Sequence, residues 1–223
     1  MSEAPALLWE PSDERVARAT LTRFRDWLAA ERGLQFDDYA GLWQWSVDEI
    51  EAFWGAVAEF FELRIEGGDG TVLGDATMPG AQWYPGARVS YPEHVFDGKD
   101  GDRVAIRHAS EVRTEVGEWS WARLRAETAA IAAGLRASGV GEGDRVVAYM
   151  PNIPETVAAF LACASLGAVW SSAAPEFGAR SVVDRFAQIE PTVMLAIDGY
   201  RYGGKDFDRG AIVERIAAEL PGL

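Results

Sequence analysis

Between Arg145 and Gly178 the chain reads strand, turn, helix, strand, loop, an order that few architectures can absorb. Val146 to Met150 is a short apolar run with β-branched residues, and Pro151 and Asn152 stop it. Glu155 to Leu166 carries a helical apolar pattern closed by Gly167, and Ala168 to Ser172 resumes as a strand. A strand–helix–strand unit of this length is a βαβ crossover, so its strands run parallel and end at one edge. Sheets of this kind bind ligands beyond that edge. The loops after Met150 and Ser172 are therefore the first candidate site.

The flanking sequence extends the same pattern. Val104 to Ile106 and Val112 to Trp119 predict a hairpin turning near Ser110 and Glu111, and Ser120 caps a predicted helix from Trp121 to about Ser138. After the central unit, Arg180 to Ile189 is amphipathic, Pro191 stops it, Val193 to Ile197 is a third buried strand, and Ile212 to Leu220 is a last helix. Counted from Val146, the order is a doubly wound parallel pattern fed by an antiparallel pair. Upstream, Ser12 caps one predicted helix running to Gly33 through Ala17, Leu21, Phe24 and Leu28. A second starts at Ser46 with Glu49 completing a capping box. Tyr39, Trp43 and Trp45 fall on the linker between them, and these aromatics read as packing. Trp83 to Pro92 reads as extended, punctuated by proline.

Composition narrows the partners. Against 21 basic residues stand 35 acidic ones, a net charge of −14 in 223 residues, which repels a nucleic-acid backbone. Cys163 is the only cysteine, so an internal disulfide and a cysteine-rich metal site are excluded and a reducing cytoplasm is expected. The stretch from Met1 to Glu10 lacks the basic and apolar regions of a signal peptide. Val157 to Trp170, broken by Ser165 and Gly167, is shorter than the ~20 residues that span a bilayer. His94 and His108 have no second histidine at ligand spacing, and no metal site is expected.

Gly139, Gly141 and Gly143 follow a helix and precede a strand, the reverse of a dinucleotide fingerprint, and read as a helix stop. No Walker loop and no nucleophile elbow occurs. Asp198 to Lys205 is more informative, because it follows the third parallel strand and couples Arg201 and Lys205 to three glycines. Two readings stand for it, a phosphate site or a solvated surface loop. Ser171, Ser172 and Pro175 to Gly178 lie at the same edge.

Gly143-Asp-Arg-Val with Tyr149-Met-Pro-Asn-Ile-Pro-Glu155 resembles the early part of the adenylate-forming, AMP-binding superfamily. Leu42-Trp-Gln-Trp-Ser46, Trp83-Tyr-Pro-Gly-Ala-Arg-Val89, Trp170-Ser-Ser172 with Pro175-Glu-Phe-Gly178, Ser181-Val-Val-Asp-Arg-Phe186 and Asp198 to Lys205 are similar to the acetoacetyl-CoA synthetases within it. The likeness implies an α/β fold: a helical and extended leader over residues 1–91, then an incomplete AMP-binding domain over 92–223, the first α/β subdomain of such an enzyme. It implies acetoacetate, ATP with Mg2+, and coenzyme A as reactants, joined through an acyl-adenylate to acetoacetyl-CoA, AMP and diphosphate. It also implies a coenzyme A site at Ala174, Pro175, Glu176, Arg201 and Lys205, with no catalytic residue in this chain. Lys205 is offset by one position from the cation of the acetyl-CoA branch, Ala173 and Ala174 replace the expected Cys and Ser, and Ser90 replaces Asn.

The superfamily's ATP loop, its adenylate segment, its ribose-binding Asp and its C-terminal catalytic Lys are not found before Leu223. The expectation is thus an N-terminal portion of an acetoacetate–CoA ligase, inactive alone, with an unpaired sheet edge. The alternatives are a non-catalytic module that binds CoA or a nucleotide, another short-chain acyl-CoA synthetase such as one for acetate, and a purely interacting subunit. A dinucleotide-dependent oxidoreductase is disfavoured by the misplaced glycines.

Overall fold

The structure, a computed structural model, describes residues 7–223. Most of the Met1 to Glu10 stretch, Met1 to Ala6, therefore lies outside the described residues. The chain forms two compact units, one up to Val89 and one from Ser90 to Leu223.

In the first unit the single helix expected after Ser12 is divided. Ser12 accepts the Arg15 amide and starts α1 (Asp13–Ala17), but Ala19 is extended at ψ 139° and α2 (Thr20–Arg32) begins anew. The Val16 carbonyl takes both the Ala19 amide and the Thr22 hydroxyl, which closes the first helix locally. The expected linker at Tyr39 is also a helix, α3 (Tyr39–Asp48). Asp38, not Ser46, is the cap, accepting the Gly41 amide at 2.8 Å. Ser46 sits in the last turn and donates to the Trp43 carbonyl, so no capping box forms, and α4 runs over Ile50–Phe60.

Phe24, Leu28, Leu42 and Ala56 are the buried centre, with Trp27, Trp45, Phe53 and Phe60 packed around them. Of the aromatics read as packing, Trp45 joins this core, whose rings meet in edge-to-face pairs such as Phe24–Phe60 at 5.1 Å and Trp45–Phe53 at 5.7 Å, whereas Tyr39 and Trp43 are exposed. A short antiparallel pair, β1 (Glu66–Gly67) and β2 (Ala87–Arg88), closes this unit.

The second unit opens with α5 (Tyr91–Phe96) where extended chain was expected; Pro92 is tolerated because it lies in the first turn. An antiparallel pair follows, β3 (Val104–His108) and β4 (Gly117–Ser120), joined by the longer connection 109–116. Ser120 caps α6 (Trp121–Ala137), as read. The parallel sheet has β5 (Arg145–Tyr149) at its centre. From it the chain runs through α7 (Pro154–Ser165) to β6 (Val169–Ala173), and through α8 (Ala179–Phe186) and a 3-10 turn to β7 (Val193–Ala196). The strand order is β6–β5–β7.

The presumed loop after β7 is instead a hairpin, β8 (Gly199–Tyr202) and β9 (Lys205–Asp208), before α9 (Gly210–Ala218). Gly203 and Gly204, at φ +59° and +74°, form the two-residue turn, which requires positive φ at both central positions. Among the described strands, β6 and β7 each have one partner in the parallel sheet, and Val169 on β6 is 47% exposed.

Alternate residues of β5 face opposite layers. Val147 and Tyr149 pack with Val182, Phe186 and Ile216 beneath α8 and α9. Val146 packs with Ala132, Leu135, Ala162 and Cys163 beneath α6 and α7. Burial raises the Cys163 thiol to about 11, which leaves it protonated and unreactive at neutral pH.

The helix starts give a direct test of the first unit. Asp38→Ala is expected to destabilise it by about 1 kcal/mol, because a cap is lost. Ser46→Ala is expected to change stability by less than about 0.5 kcal/mol. Urea unfolding of both variants checks the order of the two effects.

Candidate functional site

β6 lies on one side of β5 and β7 on the other, so the connections leaving the carboxyl ends of β5 and β7 turn toward opposite faces. That divergence leaves a crevice at the strand ends. A cavity of about 700 Å3 occupies it. Pro151, Asn152 and Ile153 enter from the loop after β5, and Ala174, Pro175 and Glu176 from the loop after β6. Ile197, Tyr200, Arg201 and Tyr202 enter from β8 and the residues before it, and Ser110 and Val112 from the β3–β4 connection.

The wall formed by the loop after β6 is held from below. Tyr149, last residue of β5, is fully buried, and its hydroxyl lies 2.5 Å from the Pro175 carbonyl oxygen and 2.8 Å from that of Phe177. Burial raises the Tyr149 pKa above the ordinary value, so the phenol keeps the proton it donates. The Arg209 guanidinium braces the opposite wall. It lies over the Tyr200 ring at 5.1 Å and the Phe207 ring at 5.7 Å, and donates to the Tyr200 hydroxyl at 2.9 Å. Tyr200 and Phe207 stack across the β8–β9 pair.

Four of the five residues singled out from sequence, Ala174, Pro175, Glu176 and Arg201, line this cavity. Lys205 does not: it pairs with Tyr202 across the turn and is exposed. Arg201 is engaged within its own hairpin, 3.6 Å from the Asp206 carboxylate and 3.4 Å from the Gly204 carbonyl. The Gly203 and Gly204 amides both donate to the Glu111 carboxylate at 2.8 Å. Sequence reading did not single out Tyr149, Tyr200, Arg209 or Glu111 as site residues. Tyr149 carried a usable signal, a tyrosine ending a buried strand at the binding edge. Glu111 carried none, since its partners lie 92 and 93 residues away.

A cavity at the diverging carboxyl ends of a doubly wound sheet, lined in part by Tyr200, Arg201 and Tyr202, lies where such sheets bind ligands. The family model described as AMP-binding enzyme matches residues 94–221, more than half of the chain, and the chain belongs to that family. A second model, acetyl-coenzyme A synthetase N-terminus, matches residues 39–95. Among similar proteins are acetoacetyl-coenzyme A synthetase of Rhizobium meliloti (strain 1021), 39% identical over 98% of this chain and 33% of that protein, and acetoacetyl-CoA synthetase of Macaca fascicularis, 36% identical over 97% and 32%. A solved structure of acetoacetyl-CoA synthetase from Streptomyces lividans superposes with a TM-score of 0.92 at 50% identity, over 98% of this chain and 34% of that one. The chain spans about a third of the length of these relatives.

Tyr149→Phe separates the hydroxyl from the ring. It is expected to cost about 1–3 kcal/mol, because buried carbonyls lose their donor. Hydrogen exchange is expected to rise first in residues 174–178, and a uniform rise across the unit would contradict the positioning role.

Proposed function

We propose that this chain is part of an ATP-dependent acetoacetate–CoA ligase and supplies a coenzyme A-facing part of its site. In that reaction acetoacetate and ATP give an acyl-adenylate and diphosphate, and the thiol of coenzyme A then displaces AMP. The supporting observation is the cavity at the β5–β7 crevice, which combines Arg201 with the Ala174, Pro175 and Glu176 wall. Tyr200 and Tyr202 offer ring surface for a base, and Arg201 offers charge for a phosphate. Glu176 at the same rim disfavours a second phosphate close by. Lys205 is left outside the contact set.

ATP and Mg2+ are the co-reactants of the proposed activity. Among the described residues no group of three or more carboxylates, histidines or cysteines could hold a metal ion. No step of adenylation is assigned to residues of this chain. Their part is to bind and orient: Tyr149 fixes the loop after β6, and Arg209 fixes the hairpin that carries Arg201. We further place the protein in the cytoplasm, in keeping with one buried free thiol; no helix among the described residues is long and apolar enough to cross a membrane.

Isothermal titration of the purified 223-residue chain with coenzyme A tests the reading. Saturable binding is expected, weakened about tenfold by Arg201→Ala, since a charge-assisted contact is lost, and unchanged by Lys205→Ala. No binding by a folded chain would contradict it. The same preparation is expected to release no acetoacetate-dependent pyrophosphate, and detectable release would assign adenylation to these residues after all.

A further inference from the structure

The contact between Glu111 and the hairpin turn joins parts of the second unit that share no strand pairing. One carboxylate oxygen accepts the Gly203 amide and the other the Gly204 amide. Two successive amides in the left-handed region point to one side and form an anion-binding concavity. The site therefore already holds an anion, contributed by the protein itself. The Gly204 and Gly203 amides, with the Arg201 charge added, hold the Glu111 carboxyl below the ordinary range against an opposing desolvation.

The contact also lies at the cavity rim. Ser110 and Val112, on either side of Glu111, line the cavity, and so do Arg201 and Tyr202, which precede the turn. Glu111 thus ties connection 109–116 to the hairpin like a strap. A phosphate reaching Arg201 meets the two amides next, already taken by a carboxylate. Glu111 is exposed, so once displaced it is readily solvated, and the exchange of one anion for another costs little.

We propose that the Gly203 and Gly204 amides, together with Arg201, form an anion subsite that Glu111 fills in the absence of ligand. A phosphate group of an entering ligand takes the subsite over, releasing the 109–116 strap. The identity of that ligand as coenzyme A rests on the function proposed above; the exchange itself requires only a phosphate-bearing anion.

Glu111→Gln keeps the side chain's shape and removes its charge. Wild type and variant are titrated separately with inorganic pyrophosphate and with coenzyme A, and trypsin cleavage after Arg113, inside the strap, is followed in parallel. The variant is expected to bind both about fivefold more tightly, the scale of one exposed charge pair. Saturating pyrophosphate is expected to accelerate cleavage after Arg113 in the wild type toward the variant's rate. Tighter pyrophosphate binding by the variant, with coenzyme A bound by neither protein, would uphold the exchange and remove coenzyme A as its ligand. Equal pyrophosphate affinities, no pyrophosphate binding by either protein, or a cleavage rate that pyrophosphate leaves unchanged would each overturn the exchange, whether or not coenzyme A binds.

Discussion

Val146, Val147, Ala148 and Tyr149 are fully buried because β5 has a parallel partner on each side and helices over both faces. A one-residue slip would exchange the residues facing α6 and α7 with those facing α8 and α9, which are of different size. Register is thereby fixed, and with it the positions of Met150 to Ile153 at the carboxyl end. The same constraint brings Tyr149 beneath the loop after β6, where its hydroxyl meets two of that loop's carbonyls. The candidate site is a consequence of how β5 is packed, and its walls are as well placed as the strand that carries them.

The site's charge is arranged economically. In a chain of net charge −14, Arg201 lines the cavity from β8, and Arg209, at the start of α9, packs on the rings of the same hairpin. Arg209 is spent on structure, stacked on Tyr200 and Phe207, whereas Arg201 makes exposed contacts with Asp206 and the Gly204 carbonyl. Exposed pairs of that kind exchange partners at little cost. The cation on the cavity wall is thus the one whose present partners hold it least.

What the sequence disclosed, and what it concealed, follows from the range of the interactions involved. The βαβ core was legible because buried strands and amphipathic helices are written in local period, and Gly167 and Pro191 mark their ends in the chain itself. The helix break at Ala19 was not, because Ala17, Leu21 and Phe24 keep helical spacing across it while the interruption lies in backbone angles. The start of α3 was concealed for another reason: Ser46 and Glu49 mimic a capping box, so the residues after the true cap, Asp38, fell on the linker before it. At the site, the loops after β5 and β6 followed from topology alone. The glycine hairpin was correctly set after the third parallel strand but misread as a loop, and its amides' partner, Glu111, is remote in sequence.

Amide chemical-shift mapping of the isotope-labelled chain, titrated with coenzyme A, tests most directly whether the crevice beside β5 is the binding site. Perturbations are expected to concentrate in residues 151–153, 174–177 and 197–204, with little change in the helices behind the sheet. Perturbations centred elsewhere in the second unit, or none at saturating coenzyme A in a folded chain, would contradict it.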